Sequence, residues 1–388
     1  MTRPTLLFAT AALMLTACNA TVPGSKADNG GTASGAAAGQ AVASDGKPFA
    51  ITEVASFKEP WAMSFIPGRN LMLVSEKGGA LKLFDIDSRQ IATVSGTPRV
   101  DYGGQGGLGD IIVSPGFDNS ANRTVYLSWA EAGDGDMRGA VVARADLAIG
   151  EQDSLSASLQ NLKIIWRQNP KVTGRGHYSH RMAFSPDGKY LFISSGDRQK
   201  MDPAQDKASD LGKIIRFTLP DGPAEQWSMG HRNTLGLAFD AAGNLWNDEM
   251  GPAGGDEVNL ILQGKNYGWP RASNGSHYDG KEIPDHAAGD GFEAPKVWWT
   301  PSISPSSLMI YSGDLFPAWK GDAFIGALSG KALIRVDLDG TSAKKGDQWD
   351  MGTRIREVEQ GPDGAIWLLE DGQGGTNGRL LKLTPPAR

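Results

Sequence analysis

Apolar residues in the folded part of this chain come in short runs broken by Pro, Asp, Asn and Gly, not at the three- and four-residue spacing of a helix. One pattern recurs: an apolar pair, a polar turn, then a short apolar run. It reads MSFIPGRNLMLVSE from Met63, IIVSPGFDNSANRTVYLSWAE from Ile111, MAFSPDGKYLFISSGD from Met182, and LAFDAAGNLWNDEMGP from Leu237. A looser copy, DLFPAWKGDAFIGALSG, starts at Asp314, and the last, VEQGPDGAIWLLEDG, at Val358. Asp-Gly and Gly-Asn tolerate positive φ and the flanks are β-formers, so each copy predicts a β-hairpin. Most copies are trailed by a second hairpin, such as GALKLFDI or GKALIRVDL.

Copies spaced by about 55 residues fit one four-stranded blade plus a long loop, which predicts an all-β, six-bladed β-propeller. A seven-bladed ring and a pair of β-sandwiches are the alternatives, and the repeat argues against the sandwiches. In a ring the termini meet, so ITEVASF (Ile51 to Phe57) and RLLKLT (Arg379 to Thr384) are expected to pair and close the last blade.

The first 18 residues, MTRPTLLFATAALMLTAC, read as a secretory signal: Arg3, a short apolar run, then small residues. The chain's one cysteine, Cys18, ends an LTAC resembling a lipobox, the alternative being an ordinary signal with an incidental cysteine. Export to the periplasmic side and a lipid on Cys18, anchoring without spanning, are therefore expected. Residues 19–48 are Gly, Ala, Ser and Asn with almost no large apolar residue, the composition of a flexible tether, so the folded domain is expected to be 49–388. The net charge of −6 and the lack of a basic run exclude an electrostatic footprint for nucleic acid.

Three loops carry candidate chemistry. DYGGQGGLGD, residues 101–110, lets backbone approach a flat ligand and offers Gln105 as donor and acceptor, although a turn-rich crossover would look the same. Residues 230–270 combine Arg232, Asn233, the Gly251-Pro252 turn, Asp256 and Glu257. Carbonyl and carboxylate oxygens suit a hard cation such as Ca²⁺, and a surface acidic loop is the plain alternative. Ser329, Gly330 and Lys331 form the third loop with Arg354 and Arg356, two guanidiniums that a strand would point the same way. They repel unless an anion joins them, which suggests a bound polycarboxylate or phosphate, a solvated strand edge with acidic neighbours being the alternative.

Two of the five histidines, His177 and His180, stand together in GRGHYSHRMAFSPDGK. With no HExxH and no GxSxG, zinc and serine-hydrolase readings are weak, leaving His177 as general base or ligand hydrogen-bonder. His180 either narrows a substrate pocket or caps a turn.

Together GHYSHRMAFSPDGK, GHRNTLGLAFD, MGPAGGDEVNLILQGKNYGWP, TPSISPSSLMIYSGDLFPAWKGDAFIGAL and RIREVEQGPDGAIWLL resemble the soluble quinoprotein glucose and aldose sugar dehydrogenases, from about Phe49 to Pro386. The resemblance implies pyrroloquinoline quinone (PQQ) and Ca²⁺ as cofactors, an aldose as substrate, an external electron acceptor, and a monomer or homodimer. It implies His177 as general base with Arg232 beside the quinone, and Gln105, Asn233, Tyr278, Ser329, Lys331, Arg354 and Arg356 as cofactor contacts. Backbone oxygens of Gly251 and Pro252 would hold the cofactor's calcium, and Glu257 and Tyr267 a calcium site of the aldose type. The sequence departs from the glucose-type pattern where Leu328 is followed by Ser329, the nearest cation being Lys331. The rival readings are a calcium-dependent lactonase and a sugar-binding module on the same scaffold.

Overall fold

The computed structural model describes residues 41–42, 46–150 and 154–386. Cys18 and the rest of the expected signal, residues 1–18, lie outside the described residues. The only helical elements among those residues are two 3-10 turns, Asp202–Gln205 and Pro317–Trp319.

Twenty-four strands form six antiparallel blades of four, and a separate two-stranded ribbon pairs Ala253–Gly254 with Gly275–Ser276. Blade 1 is Pro60–Phe65, Leu71–Glu76, Leu81–Asp85 and Ile91–Val94. Blade 2 is Leu108–Val113, Thr124–Ala132, Arg138–Ile149 and Ala157–Arg167. Blade 3 is Ser179–Phe184, Tyr190–Ser195, Lys213–Thr218 and Ala224–Met229. Blade 4 is Thr234–Phe239, Leu245–Glu249, Asp256–Ile261 and Val297–Trp299. Blade 5 is Pro305–Ile310, Ala323–Ala327, Ala332–Asp339 and Ser342–Asp350. Blade 6 takes Ile355–Gln360, Ile366–Glu370 and Asn377–Thr384 from the end of the chain and Ala50–Lys58 from its beginning.

Five of the six sequence repeats are the hairpin of a blade's first two strands; the looser copy from Asp314 begins after the first strand of blade 5, Pro305–Ile310, and covers the connecting turn and the second strand. The first strands touch one another in a closed ring, so they surround the axis. The expected closure occurs, with Ile51 paired to Leu383 and Phe57 to Gly378. Two residues of the expected tether, Ala41–Val42, pair with Thr52 and Ile51 at the outer edge of this blade.

The apolar core is divided among the blade interfaces. Alternation along a strand sends successive side chains to opposite faces. Leu191 and Ile193 therefore pack with Tyr126 and Val142 of blade 2, while Phe192 between them packs with Leu237 and Ile261 of blade 4. Blade 1 meets blade 2 through Trp61, Leu73 and Trp129, and meets blade 6 through Met72, Val74 and Trp367. A sheet buried on both faces explains why second strands such as LMLVSE and IWLLE are buried along their whole length.

Candidate active site

In every blade the loop entering the first strand and the turn leaving the second fall at the same end of the ring. These loops enclose a cavity of about 1180 Å³. His177, Arg232, Gln105, Asn233, Tyr278, Ser329, Arg354, Arg356, Gly251 and Pro252 all border it. Lys331 does not: it is exposed, with a φ of 49°, two residues beyond Ser329, and the structure does not bring it to the cavity with the other expected contacts.

His177 is buried beneath the mouth of the blade 3 hairpin. Its Nδ1 lies 2.7 Å from Asp197 Oδ1, and its backbone N–H donates to Gln105 Oε1 at 2.6 Å. A carboxylate can only accept, so Nδ1 carries the proton and Nε2 is left as the ring's acceptor. Asp197 is wholly buried and also accepts from Trp269 Nε1 at 2.8 Å and from the Gln199 N–H at 2.8 Å. Burial pushes the His177 pKa down; the Asp197 hydrogen bond and charge oppose this, while Arg232 and Arg198 add to it, and the net shift is downward. Burial would raise Asp197, but the His177 hydrogen bond and the charges of His177 and Arg232 carry it below the usual range. Gly196 lets the two backbones meet, since a Cβ there would fall 2.0 Å from the His177 carbonyl oxygen.

Arg232 forms the facing wall. Its Nη1 donates to the carbonyls of Met250 at 3.0 Å and Gly251 at 2.6 Å, and its Nη2 to the exposed Tyr278 hydroxyl at 3.0 Å. Its Nε is buried without a partner. Behind it, Glu249 accepts from the Arg232 N–H and from His231 Nδ1 at 2.9 Å. Asn233 accepts from Ser179 Oγ at 3.2 Å. Asp256 is spent on the turn itself, accepting from the N–H groups of Gly251, Ile303 and Ser304 at 2.7–2.8 Å.

Glu257 and Tyr267 meet at a second, small cavity behind Arg232, shared with Glu249. Burial first, and then the charge of Glu249, raises Glu257 well above the usual carboxylate range. The Tyr267 hydroxyl donates to the Leu260 carbonyl at 2.6 Å and accepts from the Leu262 N–H at 2.8 Å. Among the described residues no group of three or more His, Cys, Asp and Glu side chains could hold a metal. A calcium at the main cavity would thus rest on backbone oxygens such as those of Gly251 and Pro252, and hard cations accept such oxygens.

Arg354 and Arg356 do converge, but on a residue of the chain. Arg354 Nε reaches Asp371 Oδ2 at 2.8 Å, and Arg356 Nε and Nη2 reach Asp371 Oδ1 at 3.0 and 2.9 Å. The anion that two adjacent guanidiniums demand is therefore already present, which removes that argument for a ligand. Lys77 borders the cavity beside them and donates to the Gly104 carbonyl at 3.1 Å. Burial and the nearby Arg356 lower its pKa. Four cations, Arg232, Arg354, Arg356 and Lys77, and three carboxylates, Glu59, Asp256 and Asp371, border the cavity, which leaves a small positive excess with Arg232 Nε unpartnered. Ser329 bonds to Ser304 Oγ at 2.8 Å on the rim.

His180 lies at the floor, stacked on Trp61 with ring centroids 5.1 Å apart and Nδ1 2.8 Å from Ser128 Oγ. Burial first, and then Arg181, depress its pKa to about 3, so it stays neutral. Arg181 lies under the Trp61 face at 4.2 Å and pairs with Glu357 at 2.7 Å and Asp110 at 3.3 Å, plugging the axis.

Asp197, Asp371, Glu249 and Lys77 were not singled out from sequence, although hairpin register points to two of them. Ser179 pairs with Ser195, and stepping two residues outward on both strands sets His177 opposite Asp197. Ile355 pairs with Glu370, and one step outward sets Arg354 opposite Asp371.

The sequence matches the family model "Glucose / Sorbosone dehydrogenase" over residues 57–382. It is 38% identical over 346 residues to an aldose sugar dehydrogenase of Escherichia coli, covering 84% of this chain and 90% of that protein. The apo crystal structure of the soluble E. coli aldose sugar dehydrogenase superimposes with a TM-score of 0.78 at 35% identity, over 87% of this chain and 99% of that one. The PQQ-bound aldose sugar dehydrogenase of Streptomyces coelicolor superimposes with a TM-score of 0.67 at 27% identity, over 86% and 96%. The resemblance read from the loop motifs is borne out: the chain belongs to the glucose/sorbosone dehydrogenase family.

Proposed function

We propose that this protein oxidises aldose sugars at C1 to the lactone, with PQQ and Ca²⁺ as cofactors and His177 as general base. The observation that carries the reading is the buried His177–Asp197 pair bordering a cavity whose other walls present Arg232, Arg354, Arg356 and Lys77. PQQ, when bound, supplies the acceptor for the C1 hydride, and an external acceptor later removes the two electrons. The chain's own residues do the rest. Asp197 fixes the tautomer and orientation of His177, so that Nε2 takes the proton of the C1 hydroxyl. The lowered pKa keeps His177 neutral, and therefore able to accept, at neutral pH. Arg232 offers an unpartnered Nε–H and a fixed positive charge to developing negative charge. Arg354, Arg356 and Lys77 fit the carboxylates of the cofactor, with Gln105, Asn233, Tyr278 and Ser329 around it. Gly251 and Pro252 would offer carbonyl oxygens to calcium, and Glu257 with Tyr267 a second cation position. The lactonase alternative is disfavoured because it calls for a cation ringed by side-chain acids, and among the described residues no group of three or more His, Cys, Asp and Glu side chains could hold a metal.

The test is dye reduction by the purified protein, with and without PQQ plus Ca²⁺, across a panel of aldoses. Activity that requires both additions supports the reading; absence of both turnover and PQQ binding overturns it. Export and lipid attachment at Cys18 are part of the same proposal, supported by the LTAC motif. Mass spectrometry of the mature protein from the membrane fraction tests them, and an unacylated Cys18 would refute the anchor.

A further inference from the structure

We propose that Arg198 is a positioning residue for His177: its forked guanidinium ties the strained backbone that carries the histidine to the neighbouring blade. Arg198 has no solvent exposure. Its Nε donates to the Gly176 carbonyl at 2.9 Å, its Nη2 to the Gly174 carbonyl at 2.5 Å, and its Nη1 to the Arg138 carbonyl of blade 2 at 2.7 Å. Its plane lies over the Tyr178 ring, 3.8 Å from the centroid. Its own N–H donates to the His177 carbonyl at 3.3 Å. Among the described residues no carboxylate forms an ion pair with it. A cation buried without a counter-ion is costly, so an arginine held wholly by carbonyls and an aromatic face points to a specific local task.

That task is visible in the backbone. His177, Ser179 and His180 have φ of 48°, 58° and 54°, and Arg198, Gln199 and Met201 have 55°, 59° and 60°. Left-handed conformations persist in non-glycine residues only where the surroundings over-determine them. Arg198 bonds the carbonyls of Gly174, Gly176 and His177 together, and so fixes the approach to the histidine from both strands. A lysine could satisfy at most part of this fork, because its donors radiate from one atom. The charge acts as well. The groups facing His177 are Asp197, Arg232 and Arg198, and those around Arg198 are Tyr178, Arg138, Asp197 and Asp101. Asp197 favours protonated His177, while the two arginines favour the neutral base.

The inference rests on His177 being the base, and the test separates the two. R198K and R198M are compared with wild type and H177A for PQQ titration, kcat and KM with glucose, the pH profile of kcat/KM, and the titration of His177 followed by NMR in the apo protein. The chain's five histidines make that signal assignable against H177A. We expect PQQ binding and KM to hold while kcat falls ~10- to 100-fold in both arginine variants, as a small misplacement of a reacting group does. In R198M the lost cation moves the His177 titration and the acid limb of kcat/KM to higher pH, whereas R198K keeps both near wild type. R198K with wild-type kcat, alongside an inactive H177A, overturns this inference alone, whether or not R198M folds. H177A with full turnover overturns the base assignment instead, while the apo titration still reports whether Arg198 sets the state of His177.

Discussion

His177 Nδ1 and Asp197 Oδ1 stand 2.7 Å apart with no solvent reaching the carboxylate. The pair closes the open end of the blade 3 hairpin, and His177 borders the cavity of about 1180 Å³. Everything proposed about proton transfer depends on this contact.

Replacing Asp197 with Asn keeps the shape and removes the charge. The tautomer of His177 is then no longer dictated, and kcat should fall by ~10²- to 10⁴-fold, the range that loss of such an orienting acid produces. Asp197 raises the His177 pKa, so its loss should also move the acid limb of kcat/KM to lower pH. Steady-state rates across pH, with PQQ saturation checked at each point, would show this; an unchanged kcat would detach Asp197 from the chemistry.

Asp371 neutralises two guanidiniums at once. D371N leaves them facing each other, and we expect a loss of about 3 kcal/mol by urea denaturation, the low end for breaking a buried pair because Arg354 is partly exposed. The R354A/R356A double variant should instead weaken PQQ binding, read by titrating the apo protein and following quinone absorbance. Unchanged affinity would remove both arginines from the cofactor site.

His180 makes stability depend on pH. Its pKa in the fold is about 3, against an ordinary histidine value in the unfolded chain. Between these values only the unfolded state binds the proton. The stabilisation is fully present above the unfolded pKa and is lost as pH falls, by about 1.4 kcal/mol per unit. Denaturation curves at pH 7 and 5 should show a smaller loss on acidification in H180N than in wild type. Equal losses would show that His180 is not the group responsible.

Asp248 acts with the opposite sign. Both its oxygens are buried without a hydrogen-bond partner, and burial raises its pKa to about 7. The folded protein keeps a proton there that the unfolded chain releases above ordinary carboxylate pH. Its favourable contribution is therefore complete below that range and is lost as pH rises to about 7. D248N should accordingly be more stable than wild type at pH 8, with the difference shrinking at pH 5; a variant destabilised equally at both would refute this.

Gly109 tests the packing of the cavity floor. A Cβ there would fall 1.8 Å from His180 Cε1, and the imidazole is wedged between Trp61 and Ser128. G109A should cost about 1–3 kcal/mol, the range for overpacking a close-packed core, measured by thermal and urea unfolding. Wild-type stability would mean that the floor can yield.

Much of the protein was legible in its sequence because the determinants are local. A hairpin needs only an alternating apolar run and a turn that tolerates positive φ, so six copies of that pattern gave six blades and a ring closed by Ile51 and Leu383. The loops that carry His177, Gln105, Arg232, Asn233 and Gly251 were legible too, because their composition is too polar and too rich in glycine to be strand. What the tertiary structure alone decided was which charges meet. Arg354 and Arg356 looked like a demand for an external anion until the fold set Asp371 between them. Lys331, expected beside the cofactor, does not border the cavity, while Lys77, from blade 1, does. Arg198 carries no motif along the chain, and only the fold sets its guanidinium against three carbonyls. Backbone patterning depends on near neighbours and can be read along the chain; the pairing of charges depends on distances across blades, which only the closed ring fixes.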